Sequence, residues 1–98
     1  MQEPRYLGPV IITRYLGPTN TRGSRISATH KRDSETTFRA VIAWDHALTP
    51  AANHQAAAMA LLAKWPLGEG QEPFELVARG HDHDAYYFTA VQPWQLAQ

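Results

Sequence analysis

Thr49–Trp65, TPAANHQAAAMALLAKW, is the stretch whose reading decides the fold, because it alone carries helix grammar at both ends. Thr49 suits the N-cap, where its hydroxyl can accept a bond from an orphan amide, and Pro50 at the first helical position has no amide to lose. The alanine-rich interior with Gln, Met and Leu favours helix, and Pro66 after Lys64 and Trp65 stops it. Spacings of three and four put Leu48, Ala51, Ala58, Leu61, Leu62 and Trp65 on one side and Asn53, Ala57, Ala60 and Lys64 on the other. The first set is expected to face a sheet. Its small residues let the helix sit close at its start, and Leu61, Leu62 and Trp65 fill the wider end.

Short strands are expected on both sides of this helix. Upstream, Val10–Leu16 is β-branched and aromatic and closes at Gly17 and Pro18, and PTNTRGS (Pro18–Ser24) is a polar, basic, flexible loop. Arg25–Lys31 then alternates, with Ile26, Ala28 and His30 inward and Arg25, Ser27, Thr29 and Lys31 outward. After a turn at RDSE (Arg32–Glu35), Thr36–Trp44 alternates again with Phe38, Ala40, Ile42 and Trp44 inward. Downstream of the helix, the breaker-rich LGEGQEP (Leu67–Pro73) leads to Phe74–Arg79, which offers Phe74, Leu76 and Ala78 to the core. GHDHD (Gly80–Asp84) joins that strand to Tyr86–Val91 as a hairpin. The expected class is therefore α+β, in the order βββαββ, with an antiparallel sheet of about five strands and one helix packed on one face. The opposite face should be polar, showing Arg25, Ser27, Thr29, Lys31, Thr37, Arg39, Val41, Glu75, Val77, Arg79, Tyr87 and Thr89.

Ninety-eight residues suit one domain spanning the chain. RYLGP at Arg5–Pro9 returns at Arg14–Pro18, a duplication too short and too few in copies for a solenoid. Residues 1–9 read as an N-terminal extension. Residues 92–98 read as a loose tail, in which Trp94 either packs back on the sheet or frays. The absence of cysteine excludes disulfides and thiolate metal sites. No membrane span or signal-peptide pattern is present, so a cytosolic setting without membrane contact is expected. The net charge is zero but unevenly spread: residues 1–39 carry seven Lys or Arg against three acids, and residues 40–98 carry two against six. Such a dipole either offers a basic surface to nucleic acid or an acidic protein, or neutralises itself across the sheet.

The blocks Ile12–Ala28 (ITRYLGPTNTRGSRISA), Trp44–Leu48 (WDHAL) and Asn53 onward (NHQAAAMALL) resemble a group of small uncharacterised proteins carried by bacteriophages and other bacterial mobile elements. The resemblance covers residues 12 to 65 and, more loosely, the last two strands; the first RYLGP lies outside it. It implies a bacterial or phage setting in which small domains act by binding, including as anti-CRISPR-like inhibitors of host defence. It carries over no catalytic residue.

Three constellations could carry chemistry. GHDHD offers His81, Asp82, His83 and Asp84 as metal ligands, but consecutive residues of an extended chain diverge, so a solvated hairpin tip is expected instead. Asp45 and His46 at the strand-to-helix junction, with His54 in the helix, could form a base and its orienter. No nucleophile motif, glycine-rich phosphate loop or paired carboxylates accompany them, so Asp45 is expected to bond local backbone and His54 to sit at the rim of the helix–sheet interface. Neither enzyme activity nor a cofactor is expected. The third is the basic set Arg14, Arg22, Arg25, Lys31, Arg32 and Arg39, interleaved with Tyr15, which is the expected binding surface. The leading reading is a small non-enzymatic domain that docks on a host protein or complex. A nucleic-acid-binding accessory protein is the alternative, although a neutral pI is unusual for one, and a metal-dependent enzyme is the weakest reading.

Overall fold

The computed structural model describes residues 8 to 93; Arg5–Leu7 of the first RYLGP and Trp94 of the tail lie outside that range. One antiparallel sheet carries five strands, β1 (Val10–Leu16), β2 (Arg25–Lys31), β3 (Thr37–Ala43), β4 (Glu75–His81) and β5 (Tyr86–Val91), with a single helix α1 (Pro50–Ala63) between β3 and β4. This is the α+β class in the order βββαββ. Three strands begin and end where alternation and turn formers place them. Two are displaced: β3 is one residue shorter at each end, and β4 starts at Glu75 and runs into the turn as far as His81, leaving only Asp82–Ala85 as hairpin loop.

Across the sheet the order is β3-β2-β1-β5-β4, so the meander of the first three strands meets the β4–β5 hairpin along the β1–β5 seam. That seam pairs Val10 with Thr89 and Thr13 with Tyr86, and the Pro9 carbonyl extends it by accepting from Ala90 N–H. A Cβ at Gly8 would run into the Ala90 carbonyl oxygen, so the chain can pass here only as glycine. The edges are β3 and β4.

Thr49 is the N-cap as expected, its Oγ1 accepting from Ala52 N–H at 3.1 Å, with Pro50 opening the helix. The helix closes at Ala63 rather than Trp65, because Lys64 and Trp65 N–H turn back to Leu61 and Leu62 carbonyls and tighten the last turn. Its buried side differs from the expected one. Asn53, His54, Ala57, Ala58 and Leu61 are buried, whereas Leu48, assigned to the core, is exposed and Ala51, Leu62 and Trp65 are half-buried. Asn53 and Ala57, expected toward solvent, are the reverse: alanine on every side gives the periodicity little contrast, and polar Asn53 points inward to bond the strand-to-helix junction.

The helix lies over β2 and β3, touches β1, and reaches little of β5. Ile11, Ile26, Ala28, Ala40, Ala57, Ala58, Leu61 and Phe88 form the buried cluster between them. Alanines on both layers let the axis approach the strands closely, and Leu61 with Ile26 and Phe88 supplies the bulk. Trp65, just past the helix, packs on His30 and Phe38 of the sheet at ring distances of 4.9 and 5.0 Å and on Phe74 at 5.4 Å. Among the described residues no helix is long and apolar enough to cross a membrane.

One correction bears on the surfaces. The register of β4 shifts between Leu76 and Ala78, a bulge that reverses the alternation beyond it. Ala78, expected in the core, therefore pairs with Thr89 on the open face, while Arg79, expected outward, stands opposite Phe88 on the helix side. Val77, also expected outward, lines a shallow groove of about 350 Å³ there with Gln55, Leu76 and Arg79.

Candidate functional site

The basic set divides across the molecule. Arg14, Arg25, Lys31 and Arg39 lie on the sheet face away from the helix, because each has the parity opposite to Ile11, Ile26 and Ala40 of the core. Arg25 pairs opposite Leu16 and Lys31 opposite Thr37. Arg14 and Arg25 are thus diagonal neighbours, as are Lys31 and Arg39, each pair about 7 Å apart at its base. None of the four is in an ion pair with a carboxylate among the described residues. The row Arg39, Thr29, Ile12 and Tyr87 crosses four strands, and the next sets Val41, Ser27 and Arg14 side by side. The face is cationic and rich in hydroxyls.

Arg22 and Arg32 are not part of it. Arg22 sits at one end in a loop closed by Thr19, which donates its N–H to the Arg22 carbonyl at 2.7 Å and accepts from Arg22 N–H on Oγ1 at 3.1 Å. Arg32 is on the helix side, lining a cleft of about 230 Å³ with Phe38, Trp65, Pro66, Gln71 and Phe74. Tyr15 also faces the helix side: its ring meets Trp44 edge-on at 5.1 Å and its hydroxyl hydrogen-bonds Ser24 at 2.8 Å. It cannot stack a base beside the open-face cations. The aromatic on that face is Tyr87, and it is engaged.

Tyr87 donates its hydroxyl to Asp82 Oδ2 at 2.7 Å, while Asp82 Oδ1 accepts from Asp84 and Ala85 N–H, both at 2.8 Å. The Tyr87 hydroxyl first, then these amides and the charge of Arg14, hold the Asp82 carboxyl below the usual carboxylate range; the same bond pushes the Tyr87 phenol up. Asp82 is thus spent on shaping the hairpin, and His81 stacks on Tyr86 at 5.2 Å. Among the described residues no three His, Cys, Asp or Glu side chains come together to hold a metal. Thermal stability is accordingly expected to be indifferent to a chelator. A zinc-dependent rise in melting temperature, abolished by replacing His81 and His83 together with alanine, would contradict this.

Behind the other face lies a polar core that the sequence did not reveal. His54 is buried rather than at the rim, its Nδ1 2.7 Å from the Oγ1 of fully buried Thr13, its ring stacked on Tyr86 at 4.1 Å and met edge-on by Trp44 at 6.1 Å. Asn53, beside it, binds the strand-to-helix junction. Its Oδ1 accepts from Asp45 N–H at 2.8 Å and its Nδ2 donates to the carbonyls of Asp45 and Thr49 at 2.9 and 3.2 Å. Asp45 Oδ1 accepts from Ala47 N–H, the local backbone bond expected of it. The geometry of the His54–Thr13 pair is that of a buried, hydrogen-bonded core pair. The signals were a threonine at an inward position of β1 and adjacent Asn and His in an alanine helix, but their partners lie up to 41 residues away.

Burial holds the His54 pKa below the ordinary histidine value. The unfolded chain takes a proton on this ring near pH 6.5, which the folded ring resists. The contribution to stability is therefore complete above about pH 6.5 and falls as pH drops through that value toward the depressed folded pKa. The melting temperature should decline from about pH 7.5 to about pH 5.5, and less steeply in His54→Leu or His54→Gln. Equal slopes in parent and variants would contradict the assignment.

No protein-family model matches the chain, and neither a curated protein nor a solved structure shows significant similarity to it.

Proposed function

We propose that the chain is a non-enzymatic binding domain whose open sheet face docks on an acidic surface of a partner protein or protein complex. The observation that carries this reading is the gathering of Arg14, Arg25, Lys31 and Arg39 onto one face of three adjacent strands, none of them in an ion pair with a carboxylate among the described residues, although the charge of Arg14 is felt by Asp82. Grouped like charges repel and add nothing to the core, so their placement on one surface is best explained by an anion that covers them. The resemblance of the sequence blocks to small proteins of phages and mobile elements is the ground for a host protein or complex as the partner, with inhibition of host defence as one consequence of such docking.

Nucleic acid is the less favoured polyanion. Tyr87 is tied to Asp82 and Tyr15 faces the other way, so among the described residues this face presents no free aromatic platform of the kind single-strand binders use. Binding of an acidic polypeptide and of a short single-stranded oligonucleotide, each at two salt concentrations, separates the readings. The polypeptide is expected to bind more tightly. Preference for the oligonucleotide, with a logarithmic salt slope of about −0.7 per neutralised phosphate, would transfer the function to nucleic acid. Binding of neither probe would remove the basic face as the contact surface.

A further inference from the structure

We propose that the free edge of β3 is a strand-addition site, taking an extended segment of the partner protein in which acidic residues alternate with apolar ones. The inference deepens the reading of the basic face and rests on it for the sign of the partner's charge. Trp44 N–H donates to the Ser24 carbonyl, and Ser24 and Trp44 continue the register that pairs Ile26 with Ile42 and His30 with Phe38. In an antiparallel ladder hydrogen-bonded pairs alternate, so even-numbered residues of β3 bond to β2 and the backbone groups of Thr37, Arg39, Val41 and Ala43 point away from the sheet. The outward direction of the Arg39 carbonyl is independently marked by Lys64, whose ammonium donates to it at 2.9 Å. Among the described residues that is the one hydrogen bond on this edge.

The two edges of the sheet are not equivalent. β4 is broken by its bulge, one of the devices that keep an edge from pairing. β3 is seven residues long, regular, and free of proline and glycine. Its surroundings specify what can add. On the open face Arg39 stands at the edge with Lys31 and Arg25 one strand in, and neither β2 nor β3 contains an acid. On the helix side, half-buried Phe38 and Ile42 flank buried Ala40, leaving apolar edges beside the seam. An added strand is therefore complementary when it carries carboxylates on the open face and apolar side chains toward Phe38 and Ile42. The Lys64 ammonium, which the incoming backbone displaces from the Arg39 carbonyl, remains as a further cation for it. A second copy paired about Ala40 fits poorly. Antiparallel pairing centred on Ala40 would set the two Arg39 side chains diagonally beside each other, with both Lys64 ammonium groups at the seam.

The probe is a short synthetic peptide alternating glutamate with valine, compared with its lysine counterpart and with a version N-methylated on alternate amides, which cannot form the ladder. The protein should bind the glutamate peptide. Methylation, exchange of glutamate for lysine, and Arg39→Glu should each weaken binding by about tenfold or more, the loss expected for about one net hydrogen bond or charge contact. Circular dichroism checks that Arg39→Glu remains folded, and the methylated peptide leaves the protein unaltered. Equal binding of the methylated or the lysine peptide overturns the proposal, as does sedimentation showing a dimer that Val41→Pro abolishes. The two readings fail separately. A peptide that is insensitive to methylation but released by Arg14→Glu with Lys31→Glu would remove the edge and keep the face. A methylation-sensitive peptide, with acidic-polymer affinity unchanged by those reversals, would keep the edge and remove the face.

Discussion

Replacing Leu61 by alanine is expected to destabilise the fold by about 2 to 5 kcal/mol, the range for truncating a large side chain in a packed core. Leu61 is 1 % exposed and is the largest side chain the helix buries. Its neighbours in the cluster are largely alanines on the helix and on β2 and β3, which have no length with which to close the vacated space. The loss therefore combines the transfer term with an unrelieved cavity. Denaturant unfolding measures it directly, and a change below about 0.5 kcal/mol would mean that the helix does not seat on the sheet through this residue.

The second large effect belongs to Asn53, which is 1 % exposed although polar. Its amide holds Asp45 N–H and the Asp45 and Thr49 carbonyls, so one side chain closes the crossing from β3 into α1. Asn53→Ala would leave these backbone groups short of partners in a partly buried site, at a cost of about 2 kcal/mol. Asp45→Ala tests the same junction from outside: it removes only the bond to Ala47 N–H and should cost less. If the two variants unfold at the same denaturant concentration, the junction is not held from within the helix.

These residues also mark where reading from sequence stops. Strong local signals were legible: the Thr49–Pro50 start, the alternation of β2, and the turn formers around β1 and β5 each depend on neighbours within a few positions. The helix face was not, because alanine packs against a sheet and faces water with little difference in cost, leaving Leu61 and Leu62 as the main guides to orientation. Asn53 and His54 were read as outward or peripheral because an isolated polar residue gives no hint of partners supplied elsewhere in the chain, Thr13 and Tyr86 among them. The bulge at Val77 was invisible for a related reason, since ELVARGH continues an acceptable alternation and only pairing with β5 shows the extra residue. For the candidate surface, strand parity was enough to group Arg25, Lys31 and Arg39. It did not place Arg32, which follows β2 in the turn and was grouped with them although it joins the helix side beside Trp65 and Phe38.

The geometry also alters which substitutions test the surface cleanly. Of the basic set expected from sequence, Arg22 is outside the face and Arg25 is half-buried with its Nε enclosed, so reversing Arg25 would disturb packing as well as charge. Arg14 and Lys31 are exposed, on different strands, and bonded to nothing through their side chains among the described residues. Reversing both should change stability by less than about 0.5 kcal/mol each. The direct measurement is the affinity of an acidic polypeptide for the parent and for Arg14→Glu with Lys31→Glu, at low and at physiological salt, with unfolding curves run in parallel. A binding face of the kind described requires the variant to lose its affinity at both salt concentrations while its unfolding midpoint stays close to the parent's. A variant that remains folded and binds as tightly as the parent would place the contact surface elsewhere on the molecule.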